Sequence, residues 1–127
     1  MTRNGSIHRA AAAFLAVAVS TVPGAAGSCG YEFCWGAVAV GKNGSASRSS
    51  GQRTAPDAVA RAMTACGENC VLVEPFVNGC GAIAQSFERT LFSGFADDAD
   101  GARAEAMALC EANSKYSCRI RVQACSQ

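Results

Sequence analysis

Asp57-Ala58-Val59-Ala60-Arg61-Ala62-Met63-Thr64-Ala65-Cys66 is echoed 44 residues later by Gly101-Ala102-Arg103-Ala104-Glu105-Ala106-Met107-Ala108-Leu109-Cys110. Both stretches are Ala-rich and both end in Cys, as a helix packed closely on a sheet requires. Upstream, Gly36-Ala37-Val38-Ala39 returns as Gly81-Ala82-Ile83-Ala84, and downstream Cys70 matches Cys118. Blocks repeating in one order indicate an internal repeat, with copies over about 34–77 and 80–125.

Each copy reads as strand, strand, helix, strand. Val38 to Gly41 and Ser45 to Ser49 flank Asn43-Gly44, a hairpin signal because Gly accepts positive φ. Thr54 with Asp57 begins a helix with Pro56 in its first turn, and Gly67 ends it. Val59, Met63 and Cys66 are expected on its buried face, and Pro75 marks Cys70 to Phe76 as an edge strand or the end of a strand. In the second copy Gly81 to Gln85 and Thr90 to Phe95 are strands, and a helix runs from about Ala99 to Ala112. Ala102, Ala106 and Leu109 with Cys110 are expected to be its buried face. Asp97, Asp98 and Asp100 complement the helix dipole. In the last strand Arg119, Arg121 and Gln123 alternate with Ile120, Val122 and Ala124, which predicts one wet face and one dry. The expectation is an α+β domain: a small antiparallel sheet with two helices, from two pseudo-symmetric repeats.

Residues 1–27 read as a secretory signal peptide. Arg3 and Arg9 precede an Ala-rich apolar stretch from Ala10 to Val22, Pro23-Gly24 breaks it, and small residues follow. Cleavage after Gly27 leaves one disulfide-rich domain, 28–127, secreted or periplasmic. Lipoprotein anchoring through Cys29 is the lesser alternative, since Ala26 stands where a lipobox carries Leu. The apolar stretch is too short to span a bilayer. Loss of Arg3 and Arg9 leaves nine basic against ten acidic residues, a net charge of −1, with no stripe for nucleic acid. The one histidine, His8, also leaves, and with it Ser-His-Asp and Cys-His catalysis and imidazole ligation of a metal.

Eight Cys in an exported chain of this length imply a disulfide framework. Equivalent places in the repeats pair Cys66 with Cys70 and Cys110 with Cys118. Cys80 and Cys125 flank the second copy where the first has Trp35 and Val77, so they form the third pair. Cys29 and Cys34 form the fourth. Closing the long Cys80–Cys125 loop contributes about 4 kcal/mol on a chain-entropy basis. The spacings lack the pairs of a zinc site, and Cys66-x3-Cys70 lies at a helix C-terminus, where thiolates are not favoured.

The twice-used Gly-Ala-Val/Ile-Ala strand, each time followed by an Ala-rich helix ending in Cys, together with Cys80-Gly81-Ala82-Ile83-Ala84 and terminal Cys125, resembles the exported bacterial domain of unknown function 4189. The resemblance covers Cys34 to Cys125 and implies secretion and a disulfide-bonded domain; it supplies no catalytic residues. Cys29 and Cys34 look like additions to the family pattern, and Ser45 to Ser50 lacks its aromatics.

With no catalytic residue, metal set or cofactor motif assigned, a non-catalytic protein-binding module is the leading expectation. Its contact aromatics would be Tyr31, Phe33 and Trp35 before the first strand and Phe92 and Phe95 in the second hairpin, beside Phe87. A periplasmic inhibitor or immunity protein belongs to the same class. The alternative is a glycan hydrolase using two of Glu88, Asp97, Asp98 and Asp100, which would have to stand about 5 to 9.5 Å apart.

Overall fold

A computed structural model describes residues 29–127. The signal-peptide reading, its cleavage point and His8 lie outside the described residues. The chain runs β1 (Trp35–Gly41), β2 (Ala46–Gln52), α1 (Ala55–Cys66), β3 (Cys70–Val77), β4 (Cys80–Ser86), β5 (Leu91–Ala96), α2 (Ala99–Asn113) and β6 (Cys118–Cys125). Both hairpins close alike. The Gly41 N–H donates to the Ser45 carbonyl at 2.8 Å, and the Ser86 N–H to the Thr90 carbonyl at 3.0 Å. The corresponding left-handed residues are Gly44 (φ +75°) and Arg89 (φ +68°).

Short polar side chains start the helices. Thr54 Oγ1 accepts the Asp57 N–H at 3.2 Å, and Asp98 Oδ1 accepts the Gly101 N–H at 2.6 Å. Gly67, at φ +86°, ends α1 by donating its N–H to the Met63 carbonyl. The buried stripe of α1 is Ala58, Ala62 and Cys66, and that of α2 is Ala102, Ala106 and Cys110. Met63 and Leu109, expected inside, are 49% and 41% exposed. The smallest side chains face inward because they let each helix lie close to its sheet. Gly94 carries this furthest, since a Cβ there would overlap the backbone of Ala102 and Ala106.

The α+β architecture is as the sequence indicated, with its antiparallel strands divided into two three-stranded sheets. Their orders are β2-β1-β3 and β5-β4-β6, each with its first strand central. Burial of the central strands on both faces makes this division necessary. Ala37 and Ala39 face α1, and Ala82 and Ala84 face α2. Val38, Val40 and Ile83 join Phe76 and Ala124 in a core between the sheets. The layers are therefore helix, sheet, sheet, helix. Phe76 is the keystone of the middle layer: a Cβ on Gly36 would come within 2.7 Å of its ring, and one on Gly81 within 2.6 Å. Glycine at both positions makes the room the ring occupies.

With both sheet faces covered, the wet-and-dry alternation expected of β6 fails. Ile83 pairs with Val122 but Ala84 pairs with Ile120, so Arg121 stands in a β-bulge. The extra residue turns Ile120 toward α2 and leaves Val122 with Ala124 between the sheets. On β3 the bulge falls at Val71, between Cys70↔Gly41 and Leu72↔Val40.

Four disulfides join Cys29–Cys34, Cys66–Cys70, Cys80–Cys125 and Cys110–Cys118, leaving no free thiol among the described residues. Cys80 and Cys125 are directly opposite on β4 and β6, and Trp35 and Val77 occupy the matching pair on β1 and β3. Buried Ser126 ties the chain end back, accepting the Gly79 N–H through its hydroxyl at 3.0 Å.

Candidate binding cleft

Both hairpins lie at the same end of the layered sheets, so the gap between the sheets opens there into a mouth. The bulged residues Val71 and Arg121 line it. The mouth is a cleft of about 720 Å³. The first half lines it with Lys42, Asn43, Gly44 and Val71, and the second with Gln85, Arg89, Leu91, Arg119 and Arg121. Val40 and Gly41 border it from β1, Val40 being buried in the core between the sheets.

Electrostatically the cleft is one-signed. Its lining holds Lys42, Arg89, Arg119 and Arg121 and no carboxylate. Arg121 is held in place: its guanidinium donates to Gln85 Oε1 and, at 2.8 Å, to the Gly44 carbonyl, so it bridges from one sheet to the hairpin of the other. The one ion pair among the described residues is Arg103–Asp100, remote from the cleft on α2, so no carboxylate neutralises the four cations. An anionic group entering the mouth would meet forked guanidinium donors suited to planar, bidentate contact with carboxylate or phosphate.

The cleft continues into a shallower one that shares Gln85, Arg89 and Arg119 and adds Phe87 and Ser117. Phe87 is 78% exposed, and its ring centroid is 6.0 Å from that of Tyr116. This pair is an apolar platform beside the cations.

The aromatics singled out from the sequence do not form one surface. Tyr31 and Phe33 are exposed in the segment before β1, with the Arg53 guanidinium 5.5 Å from the Tyr31 ring centroid. Trp35 packs partly buried against the α1 core, and Phe92 against the α2 core. Phe95 lines a groove with Pro75, Phe76 and Val77 that contains neither Tyr31 nor Phe33. Of the four acidic residues, Glu88 is separated from the other three, which lie together at the start of α2. Glu88 sits on the second hairpin, where it accepts from Ser114 Oγ at 3.3 Å, while Asp97 and Asp98 lie past the far end of β5. Six residues of extended strand span about 20 Å, which puts Glu88 outside the carboxylate spacing of glycoside cleavage relative to Asp97 and Asp98. Among the described residues no group of three or more His, Cys, Asp or Glu could hold a metal ion, and no helix is long and apolar enough to cross a membrane.

The cationic mouth escaped sequence reasoning because its four cations come from three separate places, the two hairpin turns and β6. One signal was available: at matched places the second half carries Arg89 and Arg119 where the first carries Gly44 and Val71. No curated protein and no solved structure matches the chain. A family model described as Domain of unknown function (DUF4189) matches residues 35–125, from the first residue of β1 to the last of β6. It therefore takes in both sheets, both helices and the whole mouth, and the chain belongs to that family.

Proposed function

We propose that this chain is an exported, non-catalytic module that binds a protein partner through its hairpin end. The observation that carries the reading is the unneutralised cationic mouth with the exposed Phe87–Tyr116 pair at its rim. Interface anchors are enriched in Arg and aromatic residues, and this is where the chain sets them side by side. Export supports the reading through the four disulfides, which persist in oxidising compartments. The matching element order of the halves supports descent by duplication, after which one end diverged.

A photo-crosslinking side chain at position 87, compared with one at exposed Met63 on α1, tests the proposal in cells producing the full chain. A discrete protein adduct from position 87, absent from position 63 and lost on substituting Arg89 and Arg119 by Gln, is the expected result. Adducts of equal pattern from both positions, or none from position 87, overturn it.

A further inference from the structure

Two Asn-Gly pairs occur among the described residues, Asn43-Gly44 and Asn78-Gly79, and both asparagines are exposed. Hydrogen bonding separates them. Asn78 Oδ1 accepts the Cys34 N–H at 2.8 Å and its Nδ2 donates to the Glu32 carbonyl at 3.2 Å, while the Gly79 N–H donates to Ser126 Oγ at 3.0 Å. The side-chain amide of Asn78 and the backbone nitrogen that follows it are thus each held by other partners. Among the described residues no hydrogen bond ties down the Asn43 side chain, and a Cβ on Gly44 would meet only an Arg121 nitrogen, at 3.7 Å. Asn43 belongs to the lining of the mouth, with Lys42, Arg89, Arg119 and Arg121. At the matched place the second hairpin has Glu88, whose carboxylate accepts from Ser114 Oγ and is not part of that lining. The mouth is therefore without a carboxylate only as long as Asn43 keeps its amide.

We propose that Asn43 is a site of deamidation, and that the carboxylate formed there lowers the cationic charge of the mouth. The Gly44 nitrogen, once it has lost its proton to solvent, attacks Asn43 Cγ. A C–N bond forms, the bond from Cγ to Nδ2 breaks, and ammonia leaves with a proton from water. Water then opens the resulting succinimide ring at either carbonyl, leaving an aspartyl or isoaspartyl residue at position 43. One water is consumed and one ammonium released for each carboxylate formed, with no change of oxidation state. Glycine favours the attack because it has no Cβ to crowd the nitrogen. The Arg121 guanidinium, 2.8 Å from the Gly44 carbonyl, favours the negative charge that develops at the turn. Either product sets its carboxylate among the cations of the mouth, where it competes for them with the anionic groups of a partner.

The test incubates the folded, disulfide-bonded protein at mildly alkaline pH and follows both positions by peptide mass mapping, beside a reduced and denatured sample. Position 43 is expected to convert at least tenfold faster than position 78 in the folded protein, and at a similar rate in the denatured one. Equal rates in the folded protein, faster conversion at position 78, or conversion confined to the denatured sample overturns the site. The effect on the mouth rests on the binding reading above and is read separately, with the crosslinker at position 87. Asn43→Asp should lower the yield of the protein adduct at least threefold, while Asn43→Gln leaves it unchanged. An unchanged thermal midpoint shows that both variants remain folded. Equal yields from the two variants overturn the effect on the mouth. Absence of any adduct from the unsubstituted position 43 overturns the binding module and that effect together, and leaves the deamidation site standing on the mass measurement.

Discussion

The two halves of this chain follow the same path and fill it differently. In the first, α1 rests on hydroxyls: buried Ser49 donates to the Ala58 carbonyl at 2.7 Å and buried Ser47 to that of Ala62 at 2.6 Å. In the second, Gly94 stands in the position of Ser49 and α2 rests directly on its backbone. The first half closes its strand ends with Trp35 opposite Val77, the second with Cys80 bonded to Cys125. The first sends Phe76 into the core between the sheets, and the second offers Ala124 and Gly81 to receive it. Equivalent positions can thus share a backbone while one half supplies volume and the other space.

The largest effect should come from breaking the asymmetry at the strand ends. Cys80→Ala with Cys125→Ala frees a 45-residue separation and should cost about 4 kcal/mol of unfolding free energy. Val77→Ala, at the matching place of the first half and 39% exposed, should cost about 1 kcal/mol. Urea titration of the two variants measures the contrast; equal losses would mean that the disulfide adds nothing beyond apolar contact.

Phe76→Ala comes next, at about 3 kcal/mol, because the void it leaves is bounded by glycines that cannot fill it. Gly81→Ala should also destabilise, by driving a methyl into the ring. Combining the two should recover part of the loss, since the added methyl then enters the space the ring vacated. A double variant as unstable as the sum of the singles would show that Phe76 does not fill the space over Gly81.

The order of strands and helices, the helix starts at Thr54 and Asp98 and the edge position of β3 were legible in the sequence because each depends on local spacing. The face of α1 escaped it: Ala58 and Ala62 lie inward where Val59 and Met63 were expected. Division into two sheets was not, since Ala37-Val38-Ala39-Val40 reads as an apolar run whichever layers cover it. The faces of β6 were misread for a related reason. Alternation is trustworthy only while the ladder is regular, and the bulge at Arg121 inserts one residue that no composition rule announces. The mouth depends on that bulge, on a second at Val71 and on two hairpins, so its cations acquire a common site only when the layers stack.

Exchanging the helix supports sharpens the comparison at smaller scale. Ser49→Gly removes one hydrogen bond to a helix carbonyl and should cost about 1 kcal/mol. Gly94→Ser places a side chain where the α2 backbone already lies, and should cost about 2 kcal/mol or more. Thermal midpoints ordered the other way would mean that α2 can lift from its sheet more easily than α1.

The smallest effect has the most bearing on function. Arg89 holds a left-handed φ of +68° in the place where the first hairpin has Gly44. A non-glycine residue there is strained, and glycine relieves the strain while adding freedom to the unfolded chain. The two terms leave Arg89→Gly about 0.5 kcal/mol more stable, seen as a small rise in thermal midpoint. The same substitution should lower the yield of the protein adduct from a crosslinker at position 87 at least threefold, because it removes one of the four cations of the mouth. Higher stability with a lower adduct yield would identify the strain as the cost of setting a guanidinium at the mouth. A variant both less stable and equally able to bind would assign Arg89 to the turn alone and leave Arg119 and Arg121 as the anionic contact.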